Sequence, residues 1–100
     1  LGKYYFDFSL RELVFNDGKD KVVQKLSPKE AQLLRLFCVN KNEVVPRKLA
    51  LKEIWGKTDY FTARSMDVFV TKLRKYIEND PSLEIANIHG NGFRLVEKQD

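Results

Sequence analysis

The residues best suited to chemistry lie in one basic segment, residues 62–78, which reads TARSMDVFVTKLRKYIE. Residues 62–76 contain four cations and one anion: Arg64, Lys72, Arg74 and Lys75, and Asp67. Cations at this density can bind a polyanion, although on a surface helix they can equally be solvated charge. Val68 and Thr71 lie among them and are small enough to contact DNA base edges. The segment therefore indicates a nucleic-acid-binding surface.

Helical spacing divides the same segment into two faces. Met66, Val70, Leu73 and Ile77 recur every three or four residues, which predicts a buried apolar stripe. The opposite side carries Arg64, Val68, Thr71, Lys72 and Lys75. A helix of this kind anchors itself to a core and presents its cations outwards.

Groups needed for catalysis or for a metal site are scarce. The acids Glu30, Glu43 and Asp67 have no partner at a recognisable spacing, and His89, the one histidine, is expected in a hairpin turn. One Cys and one His cannot supply four N and S ligands to zinc. No glycine-rich phosphate loop precedes a helix. We therefore expect a protein that is not an enzyme and has no cofactor.

Composition narrows the class further. One hundred residues, 43% hydrophobic and 32% charged, suit one domain with one core, and the net charge of +4 permits a polyanionic partner without requiring one. No apolar run approaches the roughly 20 residues of a membrane span, and no signal peptide is recognisable. The single Cys38 is expected to be a buried, inert thiol. These features predict a soluble domain for a reducing compartment, with no membrane partner, taken from a longer chain.

The N-terminal region, 4–26, is predicted to form a small antiparallel sheet. Apolar and polar residues alternate from Phe6 to Arg11, and a second apolar run follows at 13–15. The turn residues at 16–18 then lead into a strand at 21–25.

A helix start is signalled by Ser27, Pro28 and Glu30, as the cap, the first-turn proline and the partner of a capping box. This helix is predicted to span 27–39. The elements predicted after it are a very short strand at Val44 and Val45, helix 47–55, a loop at 56–61, the basic helix 62–78 and a hairpin at 84–96. The hairpin turn, His89 to Gly92, contains two glycines and forms a slim tip.

Three helices, the last one basic, followed by a hairpin, indicate an α+β winged helix-turn-helix. One helix fits the major groove of B-DNA, about 12 Å wide, while a slim hairpin reaches the minor groove beside it. Over nearly its whole length the sequence resembles the C-terminal effector domain of OmpR/PhoB-type response regulators. The segments that carry the resemblance are LSPKEAQLLRLF at 26–37, the run ending in Ile54, Trp55 and Gly56, RSMDVFVTKLRKYIENDP at 64–81 and IHGNGFRL at 88–95.

The resemblance implies the family's fold, an N-terminal four-stranded antiparallel sheet, three helices and a C-terminal hairpin wing. It also implies sequence-specific binding to double-stranded DNA in transcription regulation, with 62–78 as the recognition helix. The positions that match DNA-contacting residues of the family are Trp55, Arg64, Val68, Thr71, Lys72, Arg74, Lys75, Asn87 and His89. The positions that match the loop able to contact RNA polymerase are Lys57, Thr58, Asp59 and Tyr60.

The resemblance implies, in addition, a longer bacterial, cytoplasmic protein in a two-component phosphorelay. A receiver domain, absent from this chain and served by a cognate histidine kinase, would drive dimerisation on direct-repeat half-sites about 10 bp apart. Without that linkage we expect the isolated domain to be monomeric and to bind weakly.

Two departures from the family's pattern bear on DNA binding, besides Asn91 and Phe93 in the turn, which should alter little. Phe69 stands where a polar residue often contacts phosphate, and Phe cannot donate a hydrogen bond. His89 stands where an arginine commonly enters the minor groove, and a mostly neutral imidazole is a weaker cation. Both departures predict weaker or redistributed phosphate contacts. Two alternatives stay open, a winged-helix module used only for protein interaction and a non-specific nucleic-acid binder, and they differ in salt dependence and sequence preference.

Overall fold

Two antiparallel sheets and three helices share one apolar core in residues 1–98, the part of the chain that this computed structural model describes. The strands are β1 (Tyr4–Asp7), β2 (Glu12–Asn16), β3 (Lys21–Lys25), β4 (Val44–Pro46), β5 (Leu83–Ile88) and β6 (Gly92–Glu97). The helices are α1 (Pro28–Val39), α2 (Arg47–Trp55) and α3 (Tyr60–Tyr76). The α+β winged-helix arrangement is as predicted.

The N-terminal sheet differs from the prediction because it has three strands, in the order β1-β2-β3, and not four. Its first strand ends at Asp7, whose Oδ1 accepts hydrogen bonds from the Ser9 hydroxyl (2.8 Å) and the Leu10 amide (3.0 Å). Arg11 then adopts a positive φ of 53°. The alternating residues from Phe8 onwards therefore form a turn, and the chain enters α1 soon after β3.

The capping box predicted for α1 is confirmed. The Glu30 amide donates to Ser27 Oγ (3.3 Å), and the Ser27 amide donates to Glu30 Oε1 (2.7 Å). The other carboxylate oxygen of Glu30 accepts from the Tyr76 hydroxyl (3.1 Å), which lies in the last turn of α3. Glu30 is buried, and the donors from Ser27 and Tyr76 offset the cost of burying its carboxylate. One side chain thus caps α1 and holds the end of α3.

Helix α2 has the predicted bounds, but α3 starts and ends two residues earlier than 62–78. Asp59 caps it, since Asp59 Oδ1 accepts from the Thr62 amide (2.8 Å) and Thr62 Oγ1 accepts from the Asp59 amide (3.1 Å). The predicted loop at 56–61 therefore shortens to 56–59. The apolar face of α3 lies in the core as predicted, with Met66, Val70, Leu73 and Ile77 all buried.

The hairpin predicted at 84–96 forms β5 and β6, and β4 pairs with the outer side of β6. Pro46 lies opposite Gly92, and a Cβ built on Gly92 would lie 2.3 Å from the Val45 carbonyl oxygen. A side chain at position 92 would therefore collide with β4, so glycine is required where β4 pairs with β6. The predicted very short strand at Val44 and Val45 is confirmed, and it attaches the wing to the start of α2.

The N-terminus is held by one buried carboxylate, that of Asp80, just beyond α3. Asp80 Oδ2 accepts from the Lys3 amide (2.7 Å), and Oδ1 accepts from the Ser82 hydroxyl (2.7 Å) and the Ser82 amide (3.0 Å). Burial alone raises the pKa of Asp80, but the hydrogen bonds from Ser82 and Lys3 outweigh it and leave the pKa below its ordinary value. Ionised Asp80 therefore stabilises the fold.

We expect Asp80→Asn to lower the free energy of unfolding at neutral pH by about 2 kcal/mol, because charge-assisted hydrogen bonds are removed. The folded pKa lies below that of the unfolded chain, about 4, so this contribution is present above pH 4 and is lost as the pH falls through the folded pKa. Urea denaturation from about pH 7 to about pH 2 should show the gap between variant and parent closing in acid.

The exposed Asp20→Asn is the matched control, expected to change stability by less than about 0.5 kcal/mol. A gap for Asp80→Asn that stays constant down to the acid end would contradict this role.

Candidate nucleic-acid interface

One exposed stripe runs along the outer side of α3. Arg64, Val68, Thr71 and Lys75 are spaced by four, three and four residues and therefore share one face, and all four are exposed. Lys72 is exposed beside Thr71. Since the opposite face is buried, the two-sided helix inferred from periodicity is confirmed. The stripe combines cations at its ends with short side chains at its centre.

The central residues of this stripe offer contacts rather than charge. Val68 is 49% exposed, so a methyl-bearing surface faces outwards from the middle of the helix. The hydroxyl of Thr71 donates to the Asp67 carbonyl (3.0 Å), which leaves its oxygen as an acceptor and its methyl group for packing. Near the start of α3, Arg64 Nη1 lies 3.4 Å from the Tyr60 hydroxyl, a long hydrogen bond that leaves most of the guanidinium unengaged.

Trp55 and Phe69 form a stacked pair between the end of α2 and the middle of α3. Their ring centroids lie 5.7 Å apart at an interplanar angle of 19°, and both side chains are half-buried. Lys72 Nζ lies 5.7 Å from the Phe69 centroid, and Lys29 Nζ lies 5.5 Å from the Trp55 ring. Phe69 thus takes part in an aromatic contact bordered by two ammonium groups.

Arg74 lies in the seam between α3 and the wing. It is half-buried, and its Nε donates to the Ile85 carbonyl (2.9 Å) of β5. The side chain therefore runs towards the hairpin and ties it to the helix, while its terminal amino groups border the recess between the two. The sequence prediction placed Arg74 among groove-facing residues and did not anticipate this tie.

The recess between α3 and the wing holds a cation that the sequence prediction missed. Arg47 Nη1 lies 2.8 Å from Asp67 Oδ1, and its guanidinium carbon lies 5.4 Å from the Phe93 ring centroid. The recess is lined by Arg47, Asp67, Val70, Thr71, Arg74, Asn87, Gly90 and Phe93. Two guanidinium groups against one carboxylate leave it with a net positive charge. The sequence signal available for this cation was Arg47 itself, an arginine directly after Pro46 at the first position of a helix.

The wing tip is a tight turn with exposed polar residues. His89 and Gly90 both have positive φ, 50° and 73°, and the Asn91 amide donates to the Ile88 carbonyl (2.9 Å), as in a type I′ turn. The Arg47 amide donates to the Asn91 carbonyl (3.0 Å), so the tip is tied to the start of α2. Asn87 and His89 are exposed on this hairpin, on the elements that border the recess.

The loop predicted to contact RNA polymerase lies at the N-terminal end of α3. Within it Thr58 is exposed, Lys57 Nζ lies 3.9 Å from Asp59 Oδ2, and the Lys57 carbonyl accepts from the Thr62 hydroxyl (3.0 Å). Tyr60 belongs to the helix itself. It is 69% exposed and packs edge-on against Phe61, which is 77% exposed.

Glu30, Asp67 and Cys38, the acidic and sulfur-bearing side chains considered above, lie in surroundings that suit a structural role. Glu30 and Asp67 are engaged with Tyr76 and Arg47, as described above. Burial raises the pKa of the Cys38 thiol to about 11. Within residues 1–98 no group of three or more His, Cys, Asp or Glu side chains is arranged to hold a metal ion. In the same residues no helix has both the length and the apolar character to cross a membrane.

Comparison with known proteins identifies the family. The sequence pattern of the family described as "Transcriptional regulatory protein, C terminal" matches residues 20–95. The chain belongs to this family. The resemblance to OmpR/PhoB-type effector domains is thereby confirmed, and with it the prediction that the chain is a domain of transcriptional regulatory proteins.

Two curated relatives illustrate the similarity. The transcriptional regulatory protein RprY of Bacteroides fragilis is 47% identical over 96 residues, which cover 96% of this chain and 39% of RprY. The aerobic respiration control protein ArcA of Escherichia coli is 32% identical over 91 residues, covering 89% of this chain and 37% of ArcA. This chain therefore spans about two fifths of the length of these relatives.

Solved structures share the fold. The DNA-binding domain of Bacillus subtilis CssR superposes with a TM-score of 0.74 at 29% identity, covering 93% of this chain and 99% of that one. The Klebsiella pneumoniae RstA DNA-binding domain, solved in complex with the RstA box, superposes with a TM-score of 0.74 at 23% identity and covers 97% and 94% of the two chains. The second likeness supports the fold alone.

The raised pKa of Cys38 predicts a nearly inert thiol. Compared with an ordinary pKa of 9.0, a value of about 11 lowers the thiolate fraction near neutral pH by about a hundredfold, and the higher nucleophilicity of a more basic thiolate offsets only part of this, so alkylation by iodoacetamide should be at least about tenfold slower than in the urea-unfolded chain. The unfolded chain serves as the control because it contains the same single cysteine. Rates within about threefold of each other would contradict the burial of this thiol.

Proposed function

We propose that this domain binds double-stranded DNA in a sequence-specific manner, with α3 in the major groove and the β5–β6 hairpin beside the minor groove. The observation that carries the proposal is the exposed stripe of α3. Its short side chains occupy the centre and its cations the ends, while the other face is buried in the core. This arrangement matches the major groove, where base edges lie at the centre and phosphates flank them.

Base contacts are assigned to the middle of the stripe. Val68 packs against a thymine methyl, and Thr71 offers a hydroxyl oxygen and a methyl group. Lys72 donates to guanine O6 and N7 from the same region of the helix. Arg74 acts from the seam, where its terminal amino groups reach the DNA strand that passes between helix and wing.

Phosphate contacts are assigned to the periphery. Arg64 lies at the first turns of α3, Lys75 at its last turn and Trp55 beside its middle, so the three surround the base-reading residues. Arg47 joins them from the recess, where Asp67 fixes its guanidinium. On the wing, Asn87 and His89 approach the minor groove. Their neutral side chains make that contact weaker than an arginine would.

The proposal extends to the protein of which this domain is a part. The domain acts as the output of a bacterial, cytoplasmic two-component response regulator whose receiver domain is phosphorylated through a cognate histidine kinase. Two copies then occupy direct-repeat half-sites about one helical turn apart, and linkage raises the weak affinity of each copy. The isolated domain is monomeric.

A second surface suits a protein partner rather than DNA. The loop at 57–59 and the exposed pair Tyr60 and Phe61 form an aromatic corner at the start of α3. Large exposed aromatic side chains of this kind are typical of protein contacts. We assign this corner to RNA polymerase. If the whole domain were a protein-interaction module, this corner would be its binding surface.

Removing a cation that neutralises a phosphate should change the salt dependence of DNA binding. For Lys75→Ala, at a position assigned to phosphate, we expect weaker binding and a slope of log affinity against log salt that is shallower by about 0.9, the value for one phosphate that is no longer neutralised. Fluorescence anisotropy with a labelled duplex at several salt concentrations measures both. Lys19→Ala, in the exposed turn before β3, is the control and should leave the slope unchanged. Affinity that changes neither with salt nor with the substitution would argue for the protein-interaction module.

Removing a base contact should change sequence preference instead. Selection from a random duplex pool at two salt concentrations should enrich a short motif repeated at about 10 bp. Val68→Ala should relax the preference at one position of this motif, by about 1 kcal/mol, with an unchanged salt slope. Salt-sensitive binding without an enriched motif, in the parent and in Val68→Ala alike, would favour non-specific binding.

A further inference from the structure

Lys29, in the first turn of α1, is exposed yet fixed in place. Its Nζ donates to the Ile54 carbonyl (3.0 Å), at the C-terminal end of α2, and lies 5.5 Å from the Trp55 ring. An ammonium group has three N–H donors, so two remain after the bond to Ile54. The Ile54 carbonyl and the Trp55 ring therefore hold in place a cation that still has unused donors.

This cation belongs to a cluster with the stacked pair. Trp55 stacks on Phe69, and Lys72 Nζ lies 5.7 Å from the Phe69 ring, so successive members are separated by 5.5 to 5.7 Å. We call these four residues, Lys29, Trp55, Phe69 and Lys72, the aromatic ledge. The ledge thus presents two ammonium groups beside a pair of half-buried aromatic rings.

Because Phe69 has no hydrogen-bond donor, a phosphate at this position must be bound by neighbouring residues. The phenyl ring occupies a half-buried position on α3 next to the exposed stripe and cannot itself donate to phosphate. Its stacking on Trp55 instead holds the indole, and Lys72 lies against its ring. The ledge thus places one cationic donor at each end of the stacked aromatic pair, which borders the stripe.

We propose that the aromatic ledge is a phosphodiester-binding site and that Lys29 is one of its phosphate-contacting residues. The inference rests on the proposed DNA binding, since the ligand is a backbone phosphate of the duplex that α3 reads. Lys29 supplies from α1 the contact that Phe69 cannot make from α3. Three elements, α1, α2 and α3, then hold the same DNA strand on the side of the recognition helix away from the wing.

The test compares two substitutions of Lys29. Lys29→Met keeps the apolar stem against Trp55 and removes the charge, while Lys29→Arg keeps the charge. With the duplex selected by the parent domain, we expect Lys29→Met to weaken binding about threefold to tenfold near 0.1 M salt and to reduce the salt slope by about 0.9. Lys29→Arg should keep both the affinity and the salt slope of the parent domain. The enriched motif should be the same for all three proteins, because a phosphate contact carries no sequence information.

Lys29 also caps the end of α2, so a purely structural role must be separated from phosphate binding. A structural role would lower the thermal midpoint and the affinity without changing the salt slope. Lys19→Met is the charge-matched control on the N-terminal sheet. A Lys29→Met slope equal to that of the parent and of the control would overturn the inference.

Trp55 supplies an independent readout because it is the only tryptophan of the chain. Iodide, an anionic quencher, should quench Trp55 in the free parent domain, since two ammonium groups lie beside the aromatic pair. Bound duplex should protect Trp55 from iodide. Unchanged quenching in a salt-sensitive complex would overturn the ledge site and leave the proposed function intact. A parent domain without any salt-sensitive DNA binding would overturn both.

Discussion

The burial of one face of α3 is the constraint on which the rest of the structure depends. Met66, Val70, Leu73 and Ile77 lie in the core, and this fixes the rotation of the helix about its axis. A rotation that exposed them would remove roughly 1.5 to 3 kcal/mol of apolar burial for each side chain. Because side chains on a helix are set by its period, the same burial decides that Arg64, Val68 and Thr71 point outwards. The orientation of the interface is therefore a consequence of hydrophobic packing and not of the charges that the interface carries.

Polar contacts at the margins of α3 then fix its position along the axis and its relation to the wing. Asp59 caps the first turn, and Glu30 receives the Tyr76 hydroxyl at the last turn. Arg74 attaches the helix to β5, and the pair formed by Arg47 and Asp67 closes the recess beneath the wing. Exposed ion pairs contribute little on their own, but a half-buried guanidinium with fixed partners has given up much of its conformational freedom before any ligand arrives. These contacts thus preorganise cations as well as hold elements together.

The features that could be predicted from sequence are those specified within one or two turns of chain. The α1 capping box, the bounds of α2 and the buried face of α3 all follow from residues three or four positions apart. The start of α3 had such a signal in Asp59 and Thr62, but it was not recognised. A fourth N-terminal strand came from the family resemblance and is wrong, because Asp7 folds the following residues into a turn. Arg47 and Lys29 could not be found in this way, since each acquires its place from contacts with elements far along the chain.

The distribution of charge explains how such a domain can be specific without binding tightly. Phe69 and His89 bring little charge to positions that border the DNA in the proposed complex, and Asp67 offsets part of the charge of Arg47. Each phosphate contact contributes affinity for every sequence alike, whereas the base contacts proposed for Val68 and Thr71 discriminate between sequences. Fewer phosphate contacts therefore lower non-specific binding more than they lower the preference for the correct site. In the proposed complex, affinity is then left to the pairing of two copies on repeated half-sites, where effective concentration restores what each copy lacks.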